Sequence, residues 1–162
     1  CSSDLTRLQK LKENNWNGAV FAAAGLERIN IKPTNFVNLY WMTPAPAQGA
    51  MVIVAMGNDD FTLDAVSQLN DVETEICTYI ERQFLKTLEG GCTAPIGALA
   101  KINNNEIHFV GNLFSIDGKE KLEIEKTISL DNWTDFGKYC ADEILEKGGS
   151  DLMQTIKETL KK

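Results

Sequence analysis

The chain has 162 residues, of which 43% are hydrophobic and 24% charged, with a formal net charge of −7. That composition fits a globular chain able to bury a core, as one ordinary domain or as parts of two. The negative charge argues against nucleic acid or an anionic membrane as partner, and no apolar run approaches the roughly 20 residues that span a bilayer.

No initiator methionine and no signal peptide opens the sequence. The first pattern, DLTRLQKLKEN, predicts an amphipathic helix with Leu5, Leu8 and Leu11 on one face. Asn17-Gly18 then turns into AVFAAAG (19–25), an uninterrupted apolar run that predicts a strand covered on both faces, as in a parallel sheet. Such a strand needs an earlier neighbour, and none precedes it here. The expectation is a chain cut inside an α/β domain. A helical piece around 26–29 and a loop at Lys32-Pro33 lead to a weak strand pattern, FVNLYW, and to the turn-rich TPAPAQGA. MVIVAM (51–56) predicts a second fully apolar strand. The Asn58-Asp59-Asp60 cluster then caps a helix over about 60–69.

From residue 71 the pattern changes. VETEICTYIERQFLKTLE places Val72, Ile76, Ile80, Phe84 and Leu88 at i+4 spacing, which predicts a helix. Strand patterns follow at about 95–103, 106–115 and 120–128, with turns at Asn103-Asn104-Asn105 and Asp117-Gly118. Helices over 131–147 and 150–161, separated by Gly148-Gly149, complete the chain. The fold class expected is α+β overall: a truncated α/β portion, then a small α+β domain with a three-stranded antiparallel sheet and helices.

Four cysteines, Cys1, Cys77, Cys92 and Cys140, form no CxxC pair, and a chain of this size does not need disulfide staples. A reducing cytoplasm fits them, and with one histidine (His108) no metal site of ordinary ligand type is expected. Cys77 and Cys140 fall on apolar helix faces and read as packing residues. Cys92 is different, because two glycines precede it in TLEGGCTAPIGAL. It lies just past a helix C-terminus, where the helix dipole disfavours a thiolate, and no histidine stands near it in sequence. A rapidly cycling nucleophile is not indicated. Two readings stay open from the residues alone: an incidental loop cysteine, or a thiol alkylated once that stays so, with Gly91 and its neighbour letting the backbone approach a bulky adduct.

LEGGCTAPIGALA resembles the cofactor-attachment segment of the hydroxymethylbilane synthases, or porphobilinogen deaminases. TRLQKL resembles the family's TRL-x-KL, and AVFAAAGLERI its A-[IV]-x-LA-x-AGL-x-R segment. PAPAQGA is similar to the P-A-x-G-Q-G-A turn, and ETEICTYIERQFLKTLEGGC to the ET-x(6)-ER-x(3)-LEGGC helix and turn. The resemblance follows the order of the family's C-terminal half over essentially all 162 residues.

The resemblance implies a cytoplasmic transferase of tetrapyrrole (haem) biosynthesis that joins four porphobilinogen units with release of ammonia. It implies a dipyrromethane cofactor held by a thioether to Cys92, with porphobilinogen and pyrrole-chain intermediates as ligands. Every pyrrole ring carries an acetate and a propionate, which calls for cations. The chain's three arginines, Arg7, Arg28 and Arg82, match family arginines that contact the cofactor or the growing chain. Arg82 also stands out without the resemblance, opposite the Ile76-Ile80-Phe84 stripe and ten residues before Cys92. Alone, each arginine reads as a solvated surface charge; the resemblance favours the carboxylate role for all three. Gly91 is expected beside the cofactor.

The resemblance further implies a division into 1–49 (C-terminal part of the second α/β domain), 50–70 (a crossover strand and helix belonging to the first domain) and 71–162 (a third domain bearing Cys92). The family's catalytic aspartate belongs to the missing N-terminal domain, so no catalytic residue is assigned here, and the isolated fragment is expected to be inactive. There are departures. CSSDL stands where the family has RGN before TRL, Ala47 replaces the first glycine of G-Q-G, and Val54 replaces an acidic residue. Gln48 reads either as an interdomain contact or as polar turn filler. The alternative function is a non-catalytic α+β ligand-binding or interaction module that kept the fold.

Overall fold

A computed structural model describes residues 2–31, 33–91 and 93–160. The chain forms two compact units, Cys1–Leu39 and Tyr40–Lys162. In the first unit, helix α1 (Ser2–Glu13) and the short α2 (Ala23–Arg28) are the only regular elements among the described residues. Leu26 alone is buried there, while Leu5 stays half exposed.

The strand patterns at AVFAAAG, FVNLYW and MVIVAM form no ladder among the described residues. The tail of AVFAAAG instead enters α2. The physical reason is pairing: a strand satisfies its backbone groups only on a neighbour, and an apolar run without one has no sheet to join. Met51, Val54 and Met56 are 87%, 85% and 73% exposed. These six residues in a row have the composition of a core strand and the environment of a loop.

The second unit carries the core. Helix α3 (Asp60–Ser67) is capped by Asp59, whose carboxylate accepts from the Thr62 N–H at 3.0 Å. Asp71 likewise caps α4 (Val72–Thr87) through the Thr74 N–H. Three antiparallel strands follow in meander order: β1 (Ile96–Asn103), β2 (Glu106–Phe114) and β3 (Lys121–Ser129). Asn104 and Asn105 both have positive φ between β1 and β2, the two-residue hairpin geometry that asparagine tolerates. A 3₁₀ turn (Leu130–Asn132) delays α5 to Phe136–Ile144, later than the helix expected from 131. Gly148, at φ 104°, breaks the chain between α5 and α6 (Ser150–Leu160). The architecture is α+β with a three-stranded antiparallel sheet, as the sequence indicates. No helix among the described residues is long and apolar enough to cross a membrane.

One sheet face and the helices enclose Ile80, Phe84, Phe109, Leu113, Phe136, Cys140 and Ile144, all nearly or fully buried. The i+4 stripe of α4 is only partly inward. At 3.6 residues per turn an i+4 row drifts about 40° per step, so Val72 has rotated out to 62% exposure while Ile80, Phe84 and Leu88 stay inside. Burial drives the Cys140 thiol up to about 12, consistent with an inert packing residue.

Helices α4 and α5 touch where Gly137 lies against the Ile80 carbonyl, and a Cβ there would stand 2.1 Å from that oxygen. Backbone cannot retreat as a side-chain tip can. Gly137→Ala is therefore expected to destabilise by about 3 kcal/mol or more, the upper end for over-packing. The shift of the urea midpoint measures it, and a change under 0.5 kcal/mol would contradict this helix contact.

Candidate functional site

The end of α4 shows how the sequence builds the segment leading to residue 92. Leu88 is the C-cap, Glu89 adopts a left-handed conformation (φ 52°), and the Gly90 N–H donates to the Leu85 carbonyl at 3.0 Å. With the Glu89 N–H donating to the Lys86 carbonyl, this is a Schellman termination. The left-handed position thus falls on Glu89 and not on either glycine. Glu89 is held there by an ion pair with Lys157 on α6.

The two glycines have different jobs. A Cβ on Gly90 would meet Ile96 Cδ1 at 2.4 Å and Leu85 Cδ1 at 2.7 Å, so Gly90 lets the turn pack on the start of β1. Gly91 is exposed, with nothing within 4 Å of a Cβ placed on it. That free space is what a bulky neighbour requires. Cys92 and Lys32 lie outside the described residues, as does Cys1, so the geometry stops one residue short of the thiol.

Arg82 lies exposed on α4, six residues before the C-cap, or about 9 Å along the helix axis. Arg7 on α1 and Arg28 at the end of α2 are exposed in the first unit. There, Asp4 Oδ2 would approach a Cβ on Gly25 to 3.2 Å, which sets the first turn of α1 against α2. Arg7 and Arg28 each follow that contact by three residues, one helical turn. The structure therefore relates Arg82 to Gly91, and Arg7 to Arg28, each pair within its own unit.

Charge pairing separates these arginines from six of the lysines. Lys119, Lys121, Lys126, Lys138, Lys147 and Lys157 all have carboxylate partners. Among the described residues, none of the three arginines has one. Unpaired guanidiniums are available for carboxylates from outside the chain, bidentately if the geometry allows.

A cavity of about 550 Å³ opens elsewhere, between the 44–50 turn, the start of α4 and the outer edge of β1. Asp71, Glu73 and Glu81 line it, with Lys101 as its one cation. Its sign is wrong for a ligand carrying many carboxylates.

That cavity contains a residue the sequence reading passed over. Glu81 is 5% exposed; its Oε1 accepts from the Ala100 N–H at 2.8 Å and its Oε2 from the Ala47 N–H at 2.7 Å. Burial pushes its carboxyl above the usual carboxylate range, and the two N–H groups pull it back. The clue in the sequence is an acid flanked by Ile80 and Phe84 on the inward side of an amphipathic helix. Cys77, one turn earlier, is half-buried, and its thiol is raised by burial, then by Glu81 and Glu73. Gln48 Oε1 accepts from the Ala45 N–H at 3.1 Å, a bond within its own turn.

Comparison of the sequence with known proteins identifies its family. The model for the porphobilinogen deaminase dipyromethane cofactor binding domain matches residues 5–64, and that for the porphobilinogen deaminase C-terminal domain matches 75–146. The chain belongs to the porphobilinogen deaminase family. Arg7 and Arg28 fall in the first matched stretch, and Arg82 and Gly91 in the second. It is 33% identical over 153 residues to porphobilinogen deaminase of Alkaliphilus metalliredigens, covering 93% of this chain and 48% of that protein. It is 37% identical over 153 residues to that of Campylobacter jejuni, covering 92% and 50%. Against that of Chlorobium phaeobacteroides it is 33% identical over 162 residues, covering 95% and 51%. The chain spans about half the length of the curated relatives it matches.

Proposed function

We propose that this chain is the C-terminal part of a cytoplasmic hydroxymethylbilane synthase, the transferase that joins four porphobilinogen units with loss of ammonia. The observation that carries the reading is the LEGGC segment. It ends a capped helix that bears an exposed, unpaired Arg82, and the turn leaves open space at Gly91. On this reading the Cys92 sulfur carries the dipyrromethane by a thioether. When bound, the dipyrromethane supplies the primer to which pyrrole units are added.

The chain's own residues then hold charge. Arg82, Arg28 and Arg7 donate to the acetate and propionate groups of the primer and growing chain; among the described residues none of them has a carboxylate partner to compete. Gly91 admits the first ring beside the backbone. Residues 1–49 complete a second α/β domain, 50–70 return to the first, and 71–162 form the third domain, which bears Cys92. The exposed apolar run at 51–56 supports that division, since its composition calls for a sheet beyond the chain. The catalytic aspartate comes from the upstream half. Porphobilinogen consumption and an acid-aldehyde colour test for bound pyrrole, both on the full-length polypeptide, test the reading; absence of both would defeat it.

Arg82→Leu in that polypeptide is expected to slow elongation while leaving folding intact, because the inward residues of α4 are untouched. Losing a charged hydrogen bond of about 1.5–3 kcal/mol corresponds to a factor of roughly 10 to 150. If melting drops steeply and turnover per folded molecule holds, Arg82 is structural.

A further inference from the structure

We infer that Glu81 is a positioning residue: it pins the chain leaving for the crossover segment to the domain that carries Cys92. The inference rests on the reading of 50–70 as the segment that returns to the upstream half. β1 is an edge strand, and two successive outward N–H groups on it are covered. The Ala98 N–H donates to the Pro44 carbonyl at 2.9 Å and the Ala100 N–H to Glu81. Covering an edge does not need a carboxylate, as the Pro44 carbonyl demonstrates. Burying one without a cation is costly, and among the described residues no cation pairs with Glu81.

What a carboxylate adds is a second acceptor on the same rigid group. Its other oxygen takes the N–H of Ala47, a residue of the 45–48 turn with φ 57°, in the left-handed region that a Cβ disfavours. Gly49 follows at φ 89°. A turn in that conformation persists where its surroundings hold it; beside the turn's own bonds, such as the Gln48 N–H to the Ala45 carbonyl at 3.0 Å, Glu81 ties it to α4. From Ala47 to Met51 the chain can extend at most roughly 14 Å, so the pin sets where the apolar run 51–56 departs. Arg82 is the next residue on the same helix. Any slip of the departing chain relative to Glu81 is therefore a slip relative to Arg82 and the LEGGC segment.

Glu81→Gln in the full-length polypeptide tests this. Glutamine offers one acceptor oxygen and turns an N–H₂ group toward the other donor, so only one of the two bonds survives. The turn, held by fewer bonds than the strand, gives way. Amide exchange at Ala47 is expected to lose protection while Ala98 keeps it. Elongation kcat falls about 10-fold or more through misplacement, KM for porphobilinogen stays within about twofold, and covalent pyrrole content is unchanged. Cys77→Ala is the control: it removes a half-buried side chain one turn away on the same helix and lowers Tm without changing kcat, because it holds no turn. If Glu81→Gln merely lowers Tm and kcat per folded molecule holds, Glu81 is an edge cover and the positioning role is wrong. Persistent protection at Ala47 also overturns it. If the wild-type full-length polypeptide consumes no porphobilinogen, the functional reading fails and the role in elongation with it, while Ala47 protection still reports the pin itself.

Discussion

Cys92→Ser in the full-length polypeptide is expected to abolish covalently bound pyrrole and elongation together while leaving the fold intact. A hydroxyl is a far weaker nucleophile than even a partly ionised thiol, so the primer has no stable attachment without the sulfur. The fold is expected to be spared because the residues on either side, Gly91 and Thr93, are exposed, and substitutions outside a packed core usually fall within about 0.5 kcal/mol. The Schellman termination before them depends on Leu85, Lys86, Glu89 and Gly90, none of which changes. Denaturant midpoint and acid-aldehyde colour measure the two halves. Retention of a pyrrole adduct in the variant would remove Cys92 from its role.

The second large effect concerns residues 1–162 expressed by themselves, which are expected not to turn over porphobilinogen. Elongation requires charge stabilisation at the pyrrole nitrogens and the leaving amine. On the proposed function that charge comes from the upstream half; Glu81 is occupied by two N–H groups, and Asp59, Asp71 and Asp117, with lowered pKa, are engaged by their own caps and turns. Removing a preorganised catalytic charge commonly costs a factor of 10² to 10⁴. On the same reading the primer is made by the complete enzyme's own chemistry, so Cys92 of this chain alone is expected to titrate as a free thiol. Measurable porphobilinogen consumption, or a thiol that does not titrate, would contradict the dependence on the upstream half.

The part of the fold legible in the sequence is the part whose partners are in the chain. From residue 71 onward, periodicity locates α4, the three strands and the two last helices to within a few residues, because each element buries its apolar face on another. The misplacements there have local causes: the 3₁₀ turn at Leu130–Asn132, and the rotation of the i+4 row that exposes Val72. Before residue 71 the pattern reports what a residue is suited to and not what surrounds it. MVIVAM has the makings of a buried strand but stands open, because sheet formation depends on a neighbour that periodicity cannot supply.

The site divides in the same way. Cys92, Gly91 and the three arginines were nominated from spacing and family resemblance, since short motifs carry them. Glu81 was not, although it sits beside Arg82 in the same dipeptide. Its partners are backbone N–H groups 34 and 19 residues away, and no side-chain pattern in the sequence marks them. Glu89 shows a similar limit: the glycine pair suggests a flexible turn, whereas the left-handed residue is the glutamate before it.

The most direct measurement of the central claim is the mass of the tryptic peptide 87–101 from the active full-length polypeptide. Cleavage after Lys86 and Lys101 isolates TLEGGCTAPIGALAK, with Cys92 as its single cysteine. The account predicts that this peptide carries the added mass of one dipyrromethane and gives none of its thiol to alkylating reagents. An unmodified, freely alkylated peptide 87–101 from enzyme that turns over porphobilinogen would contradict it.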